Sequence, residues 1–198
     1  MTILSTNNPD NMCWDSCVFI RYLTQSPPDC VSDIDQYIQD VQANKRTVYF
    51  SSLVYTEIRP RFLRHRGILS IQDFFADLGA TFTAIDPNPN ILMMAGEMRD
   101  IDTANPSDPN TKGRVLGTPD SIHLATCLYL RDILGVSDVV FHTFDDGKGS
   151  NWEGRCVPLL SFQNWYPNSS RPQVIQDVCN LPRRPPLYPQ PLLFPTAP

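Results

Sequence analysis

Four acidic residues, Asp15, Glu57, Asp120 and Asp145, each follow a stretch that reads as a β-strand or lie in the helix after one. Carboxylate oxygens are the preferred ligands of hard divalent cations. An ion held by several of them can lower the pKa of an attacking water and neutralise phosphate charge. Close carboxylates without a cation repel one another, so a cluster of four is either a metal site or a cost that the fold offsets elsewhere. Asp146, beside Asp145, is a further candidate ligand. The hydroxyls of Ser16, Ser52 and Thr143 could orient the carboxylates or a bound water, and could equally cap helices or stabilise turns.

Each acid also has a plainer reading. Asp120, in the first turn of its helix, would complement the helix dipole by ~0.3–1 kcal/mol. Asp145 and Asp146 precede Gly147 and suit a turn, and Glu57 could be a solvated surface acid. Asp15, flanked by Trp14, Cys17 and Val18, is the hardest of the four to place on a surface. His123 and His142 are near the acids in sequence. Neither has a second histidine at ligand spacing, and both read as structural.

A concentrated basic run, Arg59, Arg61, Arg64, His65 and Arg66, follows directly on the segment that bears Glu57. It could hold RNA phosphates, or it could be a solvated helix end paired with acids. Arg99, Lys112 and Arg114 are weaker candidates of the same kind. Overall the chain has 16 Lys+Arg against 21 Asp+Glu, a net charge of -5, so any contact with nucleic acid must be local.

The elements that would position these residues alternate between strand and helix. Met12 to Trp14 and Thr47 to Phe50 read as strands, as do Thr81 to Ile85 and Val139 to Phe141, with Val157 to Phe162 as a candidate fifth. Helical spacing runs over Ser16 to Leu23, Ser32 to Asn44, Ser70 to Leu78 and from about Pro89 to Arg99. A strong helix opens at Thr118 as N-cap, with Pro119 at the first helical position, and runs through Leu130. A short helix carries Val54, Glu57 and Ile58 after Ser51 and Ser52. Such alternation predicts an α/β fold with a mainly parallel sheet, whose strand ends would bring the four acids to one edge.

Asp100 to Gly117, rich in Asp, Asn, Pro and Gly, reads as a long loop or insertion. Beyond Tyr166 the periodicity disappears and nine of the nineteen prolines accumulate. We therefore expect a domain over 1–165 that folds alone, and a proline-rich tail over 166–198 that is extended or polyproline II-like, lies on the domain, engages a partner or is disordered. No stretch approaches the ~20 apolar residues of a membrane span, and the first residues lack the pattern of a signal peptide. Six scattered cysteines without zinc-ligand spacing suggest reduced, mostly buried thiols in a cytoplasmic protein.

Taken in order, Cys13-Trp14-Asp15-Ser16-Cys17-Val18-Phe19-Ile20 resembles the opening strand-Asp-helix motif of the PIN-domain nucleases. Ser51 to Ile58 resembles the family's strand-end serine and helical glutamate, Thr118 to Ala125 its Asp-x-x-x-Leu-Ala helix, and Thr143-Phe144-Asp145-Asp146 its Thr-x-Asp turn. The resemblance spans about residues 10 to 163. It implies a three-layer α/β/α sandwich with four or five strands, and an acidic pocket in which Asp15, Glu57, Asp120 and Asp145 hold one or two Mg²⁺ or Mn²⁺ ions. The implied activity is metal-dependent hydrolysis of RNA, similar to the toxins of bacterial toxin-antitoxin pairs, with an antitoxin protein across the groove and a homodimer as a further expectation. The insertion and the tail make this chain longer than those toxins usually are. Two alternatives stand beside this: a structure-specific DNA nuclease, and a non-catalytic binding or scaffold module that keeps the fold.

Overall fold

Met12, Cys13 and Trp14 are buried on both faces of the strand they form, β1 (Asn11–Trp14), as expected for the centre of a parallel sheet. The computed structural model describes residues 11–103, 114–148, 155–166 and 171–189. In it β1 is flanked by β2 (Thr47–Ser51) and β4 (Val140–His142), with β3 (Phe82–Ile85) outside β2 and β5 (Arg183–Arg184) outside β4. All four pairings are parallel, and the order is β3-β2-β1-β4-β5.

Parallel neighbours require crossovers, and helices supply them. Between β1 and β2 run α1 (Ser16–Thr24) and α2 (Val31–Gln42). Between β2 and β3 run α3 (Val54–Glu57), α4 (Pro60–Arg64) and α5 (Ile71–Leu78), and between β3 and β4 lie α6 (Pro89–Arg99) and α7 (Thr118–Asp132). Side chains alternate across the sheet to fill two cores. Met12, Trp14, Val48 and Phe50 meet α1, α2 and α5 on one face, while Cys13 and Phe141 meet α6 and α7 on the other. The result is the three-layer α/β/α sandwich.

Side-chain caps start two of the helices. The Ser70 hydroxyl accepts the Asp73 N–H and starts α5, and Asn88 Oδ1 accepts from Asn90 and Ile91 to start α6. One cap differs from the sequence reading. Gly117, not Thr118, is the N-cap of α7, and the Ser121 hydroxyl donates to Thr118 O.

Two expectations are corrected. Val157 to Phe162 is not a strand: a single bridge joins Val115 and Cys156, Pro158 has no N–H to continue a ladder, and Phe162–Trp165 winds into a 3-10 helix. Its apolar residues are buried all the same, which explains a strand-like composition without a strand. The fifth strand instead lies beyond residue 165. There the chain forms α8 (Gln173–Asn180) and then β5, with Ile175, Val178 and Leu181 buried in the core beneath α6 and α7. A boundary at 165 would cut through that core. Past β5, the Tyr188 hydroxyl donates to Asp40 Oδ2 at 2.7 Å and Tyr37 donates to Leu187 O at 3.2 Å, tying the chain to α2. Most of the predicted insertion, 104–113, and the last residues, 190–198, lie outside the described residues.

Among the described residues, no helix is long and apolar enough to cross a membrane. The six cysteines are free.

Candidate acidic active site

β1 delivers Asp15 to the carboxyl edge of the sheet, where its N–H donates to His142 O at the end of β4. Asp15 is the N-cap of α1, yet its side chain makes no capping bond. The carboxylate turns inward and is 4% exposed. Its Oδ2 accepts the Thr143 hydroxyl at 2.7 Å and the Cys17 thiol at 3.0 Å, and its Oδ1 accepts the Ser16 hydroxyl at 3.4 Å. Thr143 thus bonds directly to the Asp15 carboxylate, and Ser16 reaches it only at the longer distance. Burial, then the Asp15 charge, push the Cys17 thiol well above its usual range, so it remains a donor. Ser52 stands apart, with its N–H on Ile85 O and its side chain away from the cleft lining.

Glu57 ends the single turn of α3, which Ser51 Oγ helps to start by accepting the Leu53 N–H. Glu57 Oε2 lies 2.7 Å from His123 Nε2, and the same nitrogen is 3.8 Å from Asp15 Oδ1. His123 is fully enclosed, which by itself would depress its pKa. The Glu57 hydrogen bond and the charges of Asp15, Glu57 and Asp120 outweigh that, and the pKa is raised overall. The sequence reading of His123 as merely structural is thus revised: its imidazole sits among the acids, in contact with Glu57 and close to Asp15. Its position three residues after Asp120 puts both on one face of α7, and that spacing was available in the sequence.

Asp120 carries the largest perturbation of the acids. Burial first, then the Asp15 and Asp145 charges, with Glu57 adding to them, raise its pKa to about 7, against a partial offset from His123. Gly117 makes room for this side chain, because a Cβ there would lie 2.5 Å from Asp120 Oδ2. Asp145 is tied more firmly: Oδ1 accepts the Gly147 N–H at 3.0 Å and Oδ2 the Leu159 N–H at 3.0 Å. Asp146 accepts the Lys148 N–H and pairs with the Lys148 ammonium at 3.1 Å; those contacts hold its pKa below the usual range. Both residues thus form the turn and face the cleft.

Asp15, Glu57, Asp120, Asp145 and Asp146 line one cleft of about 950 Å³. Of the predicted basic run, Arg59 and Arg61 line it too, while Arg64 and Arg66 do not; Arg66 lies over the Tyr22 ring instead. Arg21 and Lys148 are cleft residues that the sequence reading missed. Arg21 follows Cys17 by four residues on α1, so the signal was its helical register. Arg114 donates to Cys156 O and stacks on Trp165, a structural tie, and Lys112 lies outside the described residues. His142 is structural as expected: burial, then the charges of Arg184 and Arg46, depress its pKa to about 3.

No family model matches the chain, and no curated protein matches it. Among the described residues, no three His, Cys, Asp or Glu side chains already converge as a ready ligand set for one ion. The acids share a cleft and each is held by its own partners, Glu57 by His123 and Asp145 by two backbone donors. The donor set nevertheless suits a hard cation: all five are carboxylates, and burial, then the charges of Asp15 and Asp145, raise the pKa of Asp120, a repulsion between charges that a cation would relieve.

Proposed function

We propose that this chain is a divalent-metal-dependent ribonuclease of the PIN-domain type. The observation that carries the reading is the convergence of Asp15, Glu57, Asp120 and Asp145, from four separate segments, on one cleft that also presents Arg21, Arg59 and Arg61. Acids alone would repel a polyanionic substrate, and arginines alone would bind it without cleaving it. Together they match phosphodiester hydrolysis.

In this reading Asp15, Glu57, Asp120 and Asp145 hold one or two Mg²⁺ or Mn²⁺ ions, with Asp146 at the turn beside them. The chemistry such ions supply is a more acidic bound water and neutralised phosphate charge. The chain's own contribution is positional. Thr143, Cys17 and Ser16 fix Asp15, two backbone donors fix Asp145, and His123 keeps Glu57 in the cluster. Asp120 can hold a proton near neutral pH until a cation replaces it. The reading carries with it a cytoplasmic location and, as in toxin-antitoxin pairs, an antitoxin protein covering the cleft.

One observation favours the alternative of a non-catalytic binding module. Glu57 is engaged by a buried histidine at 2.7 Å, so in that reading imidazolium takes the place of metal. A panel of RNA and DNA substrates incubated with Mg²⁺, Mn²⁺ or excess chelator separates the two readings. We expect metal-dependent cleavage of RNA and its loss by orders of magnitude in Asp15→Asn, with folding retained. Cleavage that persists in excess chelator, or a folded Asp15→Asn protein with undiminished metal-dependent activity, would sink the mechanism.

A further inference from the structure

Two arginine-aromatic pairs stand on the same cleft. The Arg21 guanidinium lies 4.2 Å from the centre of the Phe144 ring, and the Arg61 guanidinium 5.0 Å from the centre of the Phe62 ring. All four residues line the cavity that holds the carboxylates. They come from three places in the chain: Arg21 from α1, Phe144 from the turn after β4, and Arg61 with Phe62 from α4. Arg61 is exposed, while Arg21, Phe62 and Phe144 are half-buried.

An arginine lying on an aromatic ring is held as a flat, charged plate. A plate of that kind does two things a lone surface arginine does less well. It offers a planar face on which a nucleobase can stack, and it keeps N–H donors directed sideways for a phosphate. Bases within a duplex are already stacked on one another and cannot use such a face. Bases of a single strand can.

We propose that Arg21–Phe144 and Arg61–Phe62 are two base-stacking subsites, which make the cleft selective for unpaired nucleic acid over duplex. The inference rests on the reading of this cleft as a nucleic-acid site. It goes further by assigning selectivity to four residues, none of them a carboxylate.

The test is binding, read by fluorescence anisotropy on the full chain with Mg²⁺ and with chelator, and with strand integrity checked on a gel. The probes are a labelled single-stranded RNA, the same length of strand with abasic positions, and the RNA duplex. All carry the phosphate backbone, but only the first offers free bases. At about fivefold or more per stacked base, two plates together should favour the natural strand over the other two by about thirtyfold or more. Arg21→Lys with Arg61→Lys keeps the charge but removes the plates, and should abolish the preference, so that this variant binds the natural strand no better than the abasic strand. Phe62→Leu and Phe144→Leu, with circular dichroism to confirm folding, should act in the same direction. Equal binding of natural and abasic strands by the wild type, or a preference that survives the double lysine variant, overturns the proposal. Base-selective binding without cleavage under any metal condition supports these subsites and counts against hydrolysis. Metal-dependent cleavage without base preference does the reverse.

Discussion

The Thr143 hydroxyl donates to Asp15 Oδ2 at 2.7 Å, linking residues 128 positions apart, and the same oxygen accepts the Asp145 N–H at 3.1 Å. One hydroxyl therefore sets the relative position of two acids. Thr143 is itself fully buried, and its own N–H donates to Arg184 O of β5. Thr143→Val keeps the shape but leaves Asp15 Oδ2 with the Cys17 thiol alone and strands the Asp145 N–H. We expect a loss of about 1–3 kcal/mol in chemical denaturation, and a larger drop in cleavage than in substrate binding. Thr143→Ser should recover both; a valine variant as stable and active as wild type would show that the hydroxyl positions nothing.

The pH dependence of the metal-free protein should run opposite to that of a protein held by ordinary ion pairs. Asp120 has a folded pKa raised to about 7 from an ordinary carboxylate value of 3.8, so between those limits the folded state binds the extra proton. Its contribution to stability grows as pH falls from about 7 to about 4 and is absent above. His123 is also raised, so its contribution is present below its unfolded pKa and is lost as pH rises through the folded one. Both slopes have the same sign. The melting temperature in chelator should be higher at pH 6 than at pH 8, Asp120→Asn should flatten the difference, and Mn²⁺ should restore stability at pH 8. A melting temperature that rises from pH 6 to pH 8 in chelator would contradict the assigned charges.

Gly117 offers a way to move an acid without altering any charge. An added Cβ would stand 2.5 Å from Asp120 Oδ2 and 3.8 Å from Cys156 Sγ, so Gly117→Ala must push the carboxylate aside. The backbone there is an ordinary extended one, at φ -59 and ψ 147, which alanine tolerates. Stability should change little, while metal affinity, read by titration with Mn²⁺, should weaken. Unaltered Mn²⁺ affinity would remove Asp120 from the ligand set.

Removing residues 166–198 should unfold the chain or leave it barely folded. The cut takes away Ile175, Val178 and Leu181, all buried, together with the partner strand of β4. Three such side chains are worth roughly 5–9 kcal/mol at about 1.5–3 kcal/mol each, comparable with the whole stability of many domains. Melts of the shortened and full chains would decide this, and coincident transitions would mean that α8 and β5 contribute nothing to the core.

The sequence disclosed the parts of the fold that declare themselves by period. Phe19 and Leu23 on α1, Ile34, Ile38 and Val41 on α2, and the β-branched run of β2 all lie where the spacing put them. It also brought the four acids to one edge: Asp15, Glu57 and Asp145 follow the carboxyl ends of parallel strands, and Asp120 reaches the same cleft from the start of α7. Three features escaped. α8 is only eight residues long and sits among prolines, so its Ile175 and Val178 were read as part of a tail. β5 is two arginines paired through their backbone, and side-chain pattern carries no trace of that. The third is the role of His123, which depends on Glu57 arriving from another helix. Its spacing from Asp120 was legible, but the partner that gives the histidine its role is supplied only by the fold.

The shortness of β5 has a consequence for how copies of this chain meet one another. Among the described residues, its outer side presents the amide group of Arg183 alone, because Arg184 O already accepts the Thr143 N–H, and Pro182 and the Pro185-Pro186 pair have no N–H to offer. Leu187 N–H then turns back to Pro185 O, leading the chain off the sheet toward α2. An incoming strand would find one outward amide flanked by prolines, a poor template for extending the sheet from this side into a fibre or a strand-exchanged pair. The prolines that looked like the mark of a loose tail are, at this edge, a barrier to aggregation.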